Sequence, residues 1–99
     1  MQTIRQVSLP LEGYAHEWAE KQMAVKLPTG AKILEVGIDL GRPVIWIEFD
    51  KEEVEVREHY FCLFAGGQDI DPHYWYIASI RDTPYRWHLY QRAKEGLNS

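Results

Sequence analysis

Residues Leu27–Asp50, LPTGAKILEVGIDLGRPVIWIEFD, hold two alternating apolar runs, Ile33–Leu40 and Val44–Phe49, joined through the turn Leu40-Gly41-Arg42-Pro43. Side chains alternate across a strand, so this period-two pattern around a glycine-proline turn predicts a β-hairpin. Its inner face would carry Leu34, Val36, Ile38 and Leu40.

Upstream, Thr3–Leu9 reads as a first strand ended by Pro10, and Met23–Leu27 as a second ended by Pro28-Thr29-Gly30. Between them the character changes. Tyr14, Trp18 and Gln22 recur at four-residue spacing among good helix formers, which predicts a short helix or a helical turn near residues 12–22. Downstream of the acidic turn Asp50-Lys51-Glu52 lies the longest strand candidate, Val54–Phe64, with Val54, Val56, Tyr60, Cys62 and Phe64 on one parity. Glu58 interrupts that parity and predicts a bulge or a frayed edge. Gly66, Gly67 and Pro72 break the ladder, and Tyr74–Ile80 and Tyr85–Tyr90 follow as strands around Arg81-Asp82-Thr83-Pro84.

Six to seven short strands without a long helix predict a mainly all-β fold, a small antiparallel β-sandwich or a partly open barrel. At 99 residues the chain has room for one core. A single globular domain over residues 1–92 and a loose C-terminal tail over 93–99 are expected. Trp46, Trp75 and Trp87 would divide between that core and its rim.

Eleven basic residues against fifteen acidic ones give a formal charge of −4, which argues against direct nucleic-acid binding through phosphate neutralisation. The N-terminal MQTIRQVSLPLEGY has no long apolar h-region, and no window approaches bilayer length, so no membrane span and a cytoplasmic location are expected. The single cysteine, Cys62, sits between aromatic and aliphatic neighbours and reads as a buried packing thiol.

Two places have chemical interest. Aromatic residues crowd the last third, and alternation sets Tyr74 and Tyr76 against Trp75, and Tyr85, Trp87 and Leu89 against Arg86, His88 and Tyr90. Both faces cannot be core, and Tyr, Trp and Arg are enriched at binding hot spots, so Trp75, Arg86, His88 and Tyr90 are the expected interaction surface. The second place is the loop Gly66–His73, where Gly66, Gly67, Asp69, Asp71 and His73 form the alternative ligand-binding set. Local backbone capping by Asp69 and a turn opened at Asp71-Pro72 explain the same residues. No metal site, no cofactor and no catalytic residue is assigned, because the histidines are scattered and Ser8 and Ser79 lack a nucleophile-elbow setting. The acidic run Asp50–Glu55 reads as a solvated turn that could also steer a basic partner.

The succession MQTI, LPTGAKILEV, GRPVIWIEFD, EVREHYFCLFAGG, YWYIASI and RWHLYQ resembles small uncharacterised proteins of bacteriophages and prophages, over Met23–Tyr90 and the first few residues. This resemblance implies an all-β fold and a phage-encoded accessory protein that acts by binding a host protein. The expected function is therefore non-enzymatic binding of a host macromolecule in the bacterial cytoplasm, with inhibition of an antiviral defence complex as the specific form. The alternative is a small-ligand or nucleotide-binding protein, or an enzyme, using Gly66–His73. An uncovered edge strand would also permit a homodimer.

Overall fold

The computed structural model describes residues 1–11, 15–81 and 86–93. Seven strands are found among them: β1 (Gln2–Ser8), β2 (Met23–Pro28), β3 (Lys32–Asp39), β4 (Arg42–Asp50), β5 (Val56–Ala65), β6 (Tyr74–Ile80) and β7 (Trp87–Arg92). They form two antiparallel sheets, β1-β4-β3 and β2-β5-β7-β6, which face each other as a small sandwich. The strand ends differ from the sequence expectation by one or two residues, as fraying ends do.

The predicted hairpin is β3–β4, but its turn is tighter than expected. Leu40 and Gly41 both have positive φ, 51° and 78°, the requirement of a two-residue type I′ turn whose twist matches the flanking strands. Arg42 and Pro43 therefore belong to β4. The expected inner face holds at Val36 and Ile38 and is corrected at Leu34 and Leu40. A bulge between Ile33 and Glu35 adds one residue to β3, and a one-residue slip exchanges the two faces of a strand. Ile33, Val36 and Ile38 face the core, whereas Leu34 is 44% exposed and Leu40, in the turn, is 96% exposed.

Inward positions of both sheets interdigitate: Ile45, Ile47 and Phe49 from β4, Met23, Val25 and Leu27 from β2, Phe61 and Leu63 from β5, and Trp87 and Leu89 from β7. The β1–β2 connection closes one side with Leu9, Leu11 and Trp18. Of the short helix or helical turn expected near 12–22, the helical turn forms, as the 3₁₀ turn Ala15–Glu17, and Glu12–Tyr14 lie outside the described residues. Tertiary packing overrides helix propensity beyond that turn. The Trp18 ring is buried 6.2 Å from that of Trp87, Ala19 bridges Leu63, and the Glu20 amide donates to the Leu63 carbonyl at 3.0 Å.

No bulge occurs at Glu58. Strand β5 pairs with β2 in unbroken register from Met23 opposite Phe61 to Pro28 opposite Val56. Glu58 lies on the outer face, directly opposite Lys26, where a charge needs no bulge to reach solvent. Trp87 is core, whereas Trp46 and Trp75 are 37% and 57% exposed. The expected turn and strand start at 82–85 and the tail at 94–99 lie outside the described residues. Ala93 is tied to the sheet through its amide, which donates to the His73 carbonyl at 2.7 Å.

Candidate interaction face

The outer face of the four-stranded sheet is a grid fixed by strand register. Cys62 pairs with Tyr90 and Tyr90 with Tyr76; Phe64 pairs with His88 and His88 with Ser79; Arg92 pairs with Tyr74. Tyr60 continues the β5 column next to Arg92, one position beyond the Phe61–Gln91 pair. The rings meet edge to face: Phe64 with Tyr90 at 5.3 Å and 87°, Tyr76 with Tyr90 at 5.6 Å and 72°, and Phe64 with Tyr74 at 5.8 Å and 76°. Each such pair adds about 0.5–1.5 kcal/mol beyond area burial. This cluster is a second, shallower packing layer whose rim is open, with Tyr76 54% and Tyr60 37% exposed.

Cys62 lies beneath the rings, 3% exposed. Burial pushes its thiol up to about 11, reinforced by the negative charge of Glu20. A thiol held protonated in this way is a poor nucleophile, so Cys62 is packing, as its neighbours in sequence indicated.

Polar contacts fix the exposed rings. The Tyr76 hydroxyl and Ser79 Oγ are 2.7 Å apart, and Ser79 Oγ lies 2.7 Å from His88 Nδ1. One serine hydroxyl thus bridges a phenol and an imidazole. A Ser–His pair is one element of nucleophilic catalysis, but a hydrolase also needs a third orienting group and an oxyanion hole. On this sheet face the hydroxyl is held from both sides, and the consequence is a fixed Tyr76 ring. The Tyr60 hydroxyl donates to Glu58, and this bond to a carboxylate raises the Tyr60 phenol above its ordinary value.

Arg86, His88 and Tyr90 share the outward parity of β7, with Arg86 exposed just before the strand begins. Trp75 does not join them. It pairs with Gln91, which shares the core-side parity of Phe61, and so projects from the other face of the sheet near its open end. The sequence reading missed Tyr60, Phe64 and Tyr76 as neighbours of His88 and Tyr90. The parity of Tyr74 and Tyr76 was readable, but their meeting with Phe64 depends on the order β5-β7-β6.

In the Gly66–His73 loop, Gly67 takes a positive φ of 85°, and Gly66, Asp69, Asp71 and His73 are exposed. It is Asp71, rather than Asp69, that caps: its Oδ1 accepts from the His73 amide at 2.8 Å and contacts His73 Nδ1 at 2.8 Å. These bonds hold the Asp71 carboxyl below its usual value. Gln68 accepts from the Ala65 amide at 2.6 Å and donates to Glu20 at 3.0 Å, which ties the loop to the β1–β2 connection. Among the described residues no group of three or more His, Cys, Asp or Glu is arranged to hold a metal ion.

The acidic turn after β4 is also internally engaged. Asp50 Oδ1 accepts from the Glu52 amide at 3.0 Å and from the N-terminal ammonium at 3.4 Å, which holds its carboxyl low. Among the described residues no helix is long and apolar enough to cross a membrane.

A family model described as Domain of unknown function (DUF7352) matches residues 1–98 of the chain. No curated protein and no solved structure matches it.

Proposed function

We propose, on the premise that this chain belongs to the DUF7352 family, that it is a non-enzymatic accessory protein that binds a host protein through the outer face of its four-stranded sheet. The sequence resemblance to small phage and prophage proteins supplies the biological setting, the cytoplasm of a bacterial host, and an antiviral defence complex is the target class. One observation carries the binding reading. Tyr76 is 54% exposed yet held in place through Ser79 and His88. An ordered, exposed aromatic ring loses little freedom on association, and this is the property of a binding anchor.

The test is affinity capture of the tagged chain from bacterial lysate beside the Tyr60→Ala/Tyr76→Ala double variant and a Trp46→Ala control from the opposite sheet. The expected result is a stoichiometric protein retained by the wild type and Trp46→Ala and lost by the tyrosine variant. Retention by all three removes this face from the proposal. A thermal shift with a nucleotide or metal that Asp71→Ala abolishes would transfer the function to the Gly66–His73 loop.

A further inference from the structure

Between the sheets, where β3 packs beside β6, a cleft of about 310 Å³ opens to solvent. Its aliphatic walls come from both sheets, with Ile33 on one side and Leu27 and Ile77 on the other, and Tyr76 stands at its edge. The inward columns of β5 and β7 are apolar through Phe61, Leu63, Trp87 and Leu89, then change to His59 and Gln91 where they reach this cleft. Those two side chains are joined, with Gln91 Nε2 donating to His59 Nδ1 at 2.9 Å. In the turn between β2 and β3, flanked by wall residues, the Thr29 hydroxyl oxygen is buried with no hydrogen-bond partner.

Dimensions and chemistry limit what fits. Small-molecule sites span roughly 300–1,000 Å³ and are mainly apolar with a few placed polar groups. Among the described residues no carboxylate, ammonium or guanidinium lines this cleft, so a charged ligand would lose hydration without compensation there. A carboxamide offers two N–H donors and an oxygen acceptor. Gln91 directs one donor to His59, and a carboxamide that spends its anti N–H in this way keeps its syn N–H beside its oxygen, the complement of a lactam edge. A slot between aliphatic walls of two facing sheets suits a flat ring. We infer that the cleft is a binding site for an uncharged planar heterocycle bearing a lactam edge, the chemistry of a nucleobase, read by the Gln91 carboxamide. This site shares only Tyr76, at its edge, with the protein-binding face, and its test reads Ile33, Ile77 and Gln91, so it does not depend on that reading.

The experiment is an amide ¹H–¹⁵N titration of the intact chain with uracil, with 1,3-dimethyluracil as a ring of the same shape lacking the N–H edge. Uracil is expected to shift the amides of Ile33, Ile77 and Gln91 saturably. Dimethyluracil should bind about tenfold more weakly, because it leaves the carboxamide partly unpaired. Gln91→Leu should erase that difference. The wild-type comparison stands alone if this variant fails to fold. An oligo(dU) that moves the same amides when free uracil does not would assign the same chemistry to a base carried by nucleic acid. Absence of saturable shifts at these amides with either probe, or equal binding of uracil and dimethyluracil, overturns the inference.

Discussion

The Tyr74 hydroxyl donates to the Gln22 carboxamide oxygen at 3.3 Å, joining the start of β6 to the residue before β2 across the two strands between them. The reach is possible because the side chain lies along the sheet, its ring meeting Phe64 edge-on. Partial burial raises the Tyr74 phenol, and the neighbouring Cys62 adds to that shift. Tyr74 therefore acts as a strap over the layer that shelters the thiol.

Removing the hydroxyl alone, Tyr74→Phe, should cost about 0.5–1.5 kcal/mol, the net value of one hydrogen bond. Removing the ring, Tyr74→Ala, should also speed modification of Cys62 by a thiol reagent under native conditions. Thermal melts and labelling rates of the two variants check this. Equal labelling of wild type and Tyr74→Ala would show that Tyr74 does not cover the thiol.

The alkaline stability of the chain should report the same burial. The Cys62 pKa is raised from an ordinary 9.0 to about 11 in the folded state. A raised value means that the contribution to stability is complete below pH 9 and is lost as the pH climbs toward 11. Tyr60 and Tyr74, both raised from 10.0, add loss of the same sign above pH 10. The unfolding temperature should fall over this range, and Cys62→Val should fall less between pH 9 and 10. Identical profiles for the two proteins would remove the thiol from the account.

The hairpin turn holds a correctable strain. Leu40 is a non-glycine residue at φ 51°, and its side chain is 96% exposed. A left-handed conformation costs an L-residue roughly 1–2 kcal/mol, less for Asn, whose short polar side chain bonds locally. Leu40→Asn, which makes the preferred Asn-Gly pair of a type I′ turn, should stabilise by about 0.5–1 kcal/mol. Denaturant melts check the sign, and a destabilised variant would mean that the exposed leucine makes contacts that offset its strain.

The hairpin and the seven-strand sandwich were legible because period-two alternation survives in Val44–Phe49 and in Met23–Leu27, where no bulge intervenes. The inner face of β3 was legible in part. Val36 and Ile38 face the core as the alternation indicated, but the letters keep alternating through Leu34 while the backbone slips by one residue, which puts Ile33 inward in place of Leu34. Around Trp18 the reading also held in part: the four-residue spacing with Tyr14 and Gln22 is helical and a 3₁₀ turn forms at Ala15–Glu17. The gain from burying an indole against Trp87 is larger, however, than the propensity of one short segment to extend that turn. For the interaction face, local parity placed His88 and Tyr90 together. It could not bring in Phe64 or Tyr60, more than twenty residues away, because that needs the pairing order of β5, β7 and β6.

Each edge of the two sheets carries a feature that hinders pairing with another chain. Bulges interrupt β3 between Ile33 and Glu35 and β6 between Tyr76 and Ala78, and β2 presents Lys26 and ends at Pro28. Strand β1 runs in unbroken register with β4, so its protection rests on Arg5. Arg5 pairs with the buried Ile47 and thus has inward parity, and its guanidinium lies 4.9 Å from the centre of the Phe49 ring. A strand docking beside β1 would have to place a side chain against that charge. Arg5→Val removes it and completes an apolar inward row with Val7, so this variant should self-associate with rising concentration while the wild type stays monomeric. Sedimentation of both proteins across a concentration series decides the matter. A monomeric Arg5→Val would show that the edge is guarded by something other than the inward charge, and a dimeric wild type would show that β1 is not guarded at all.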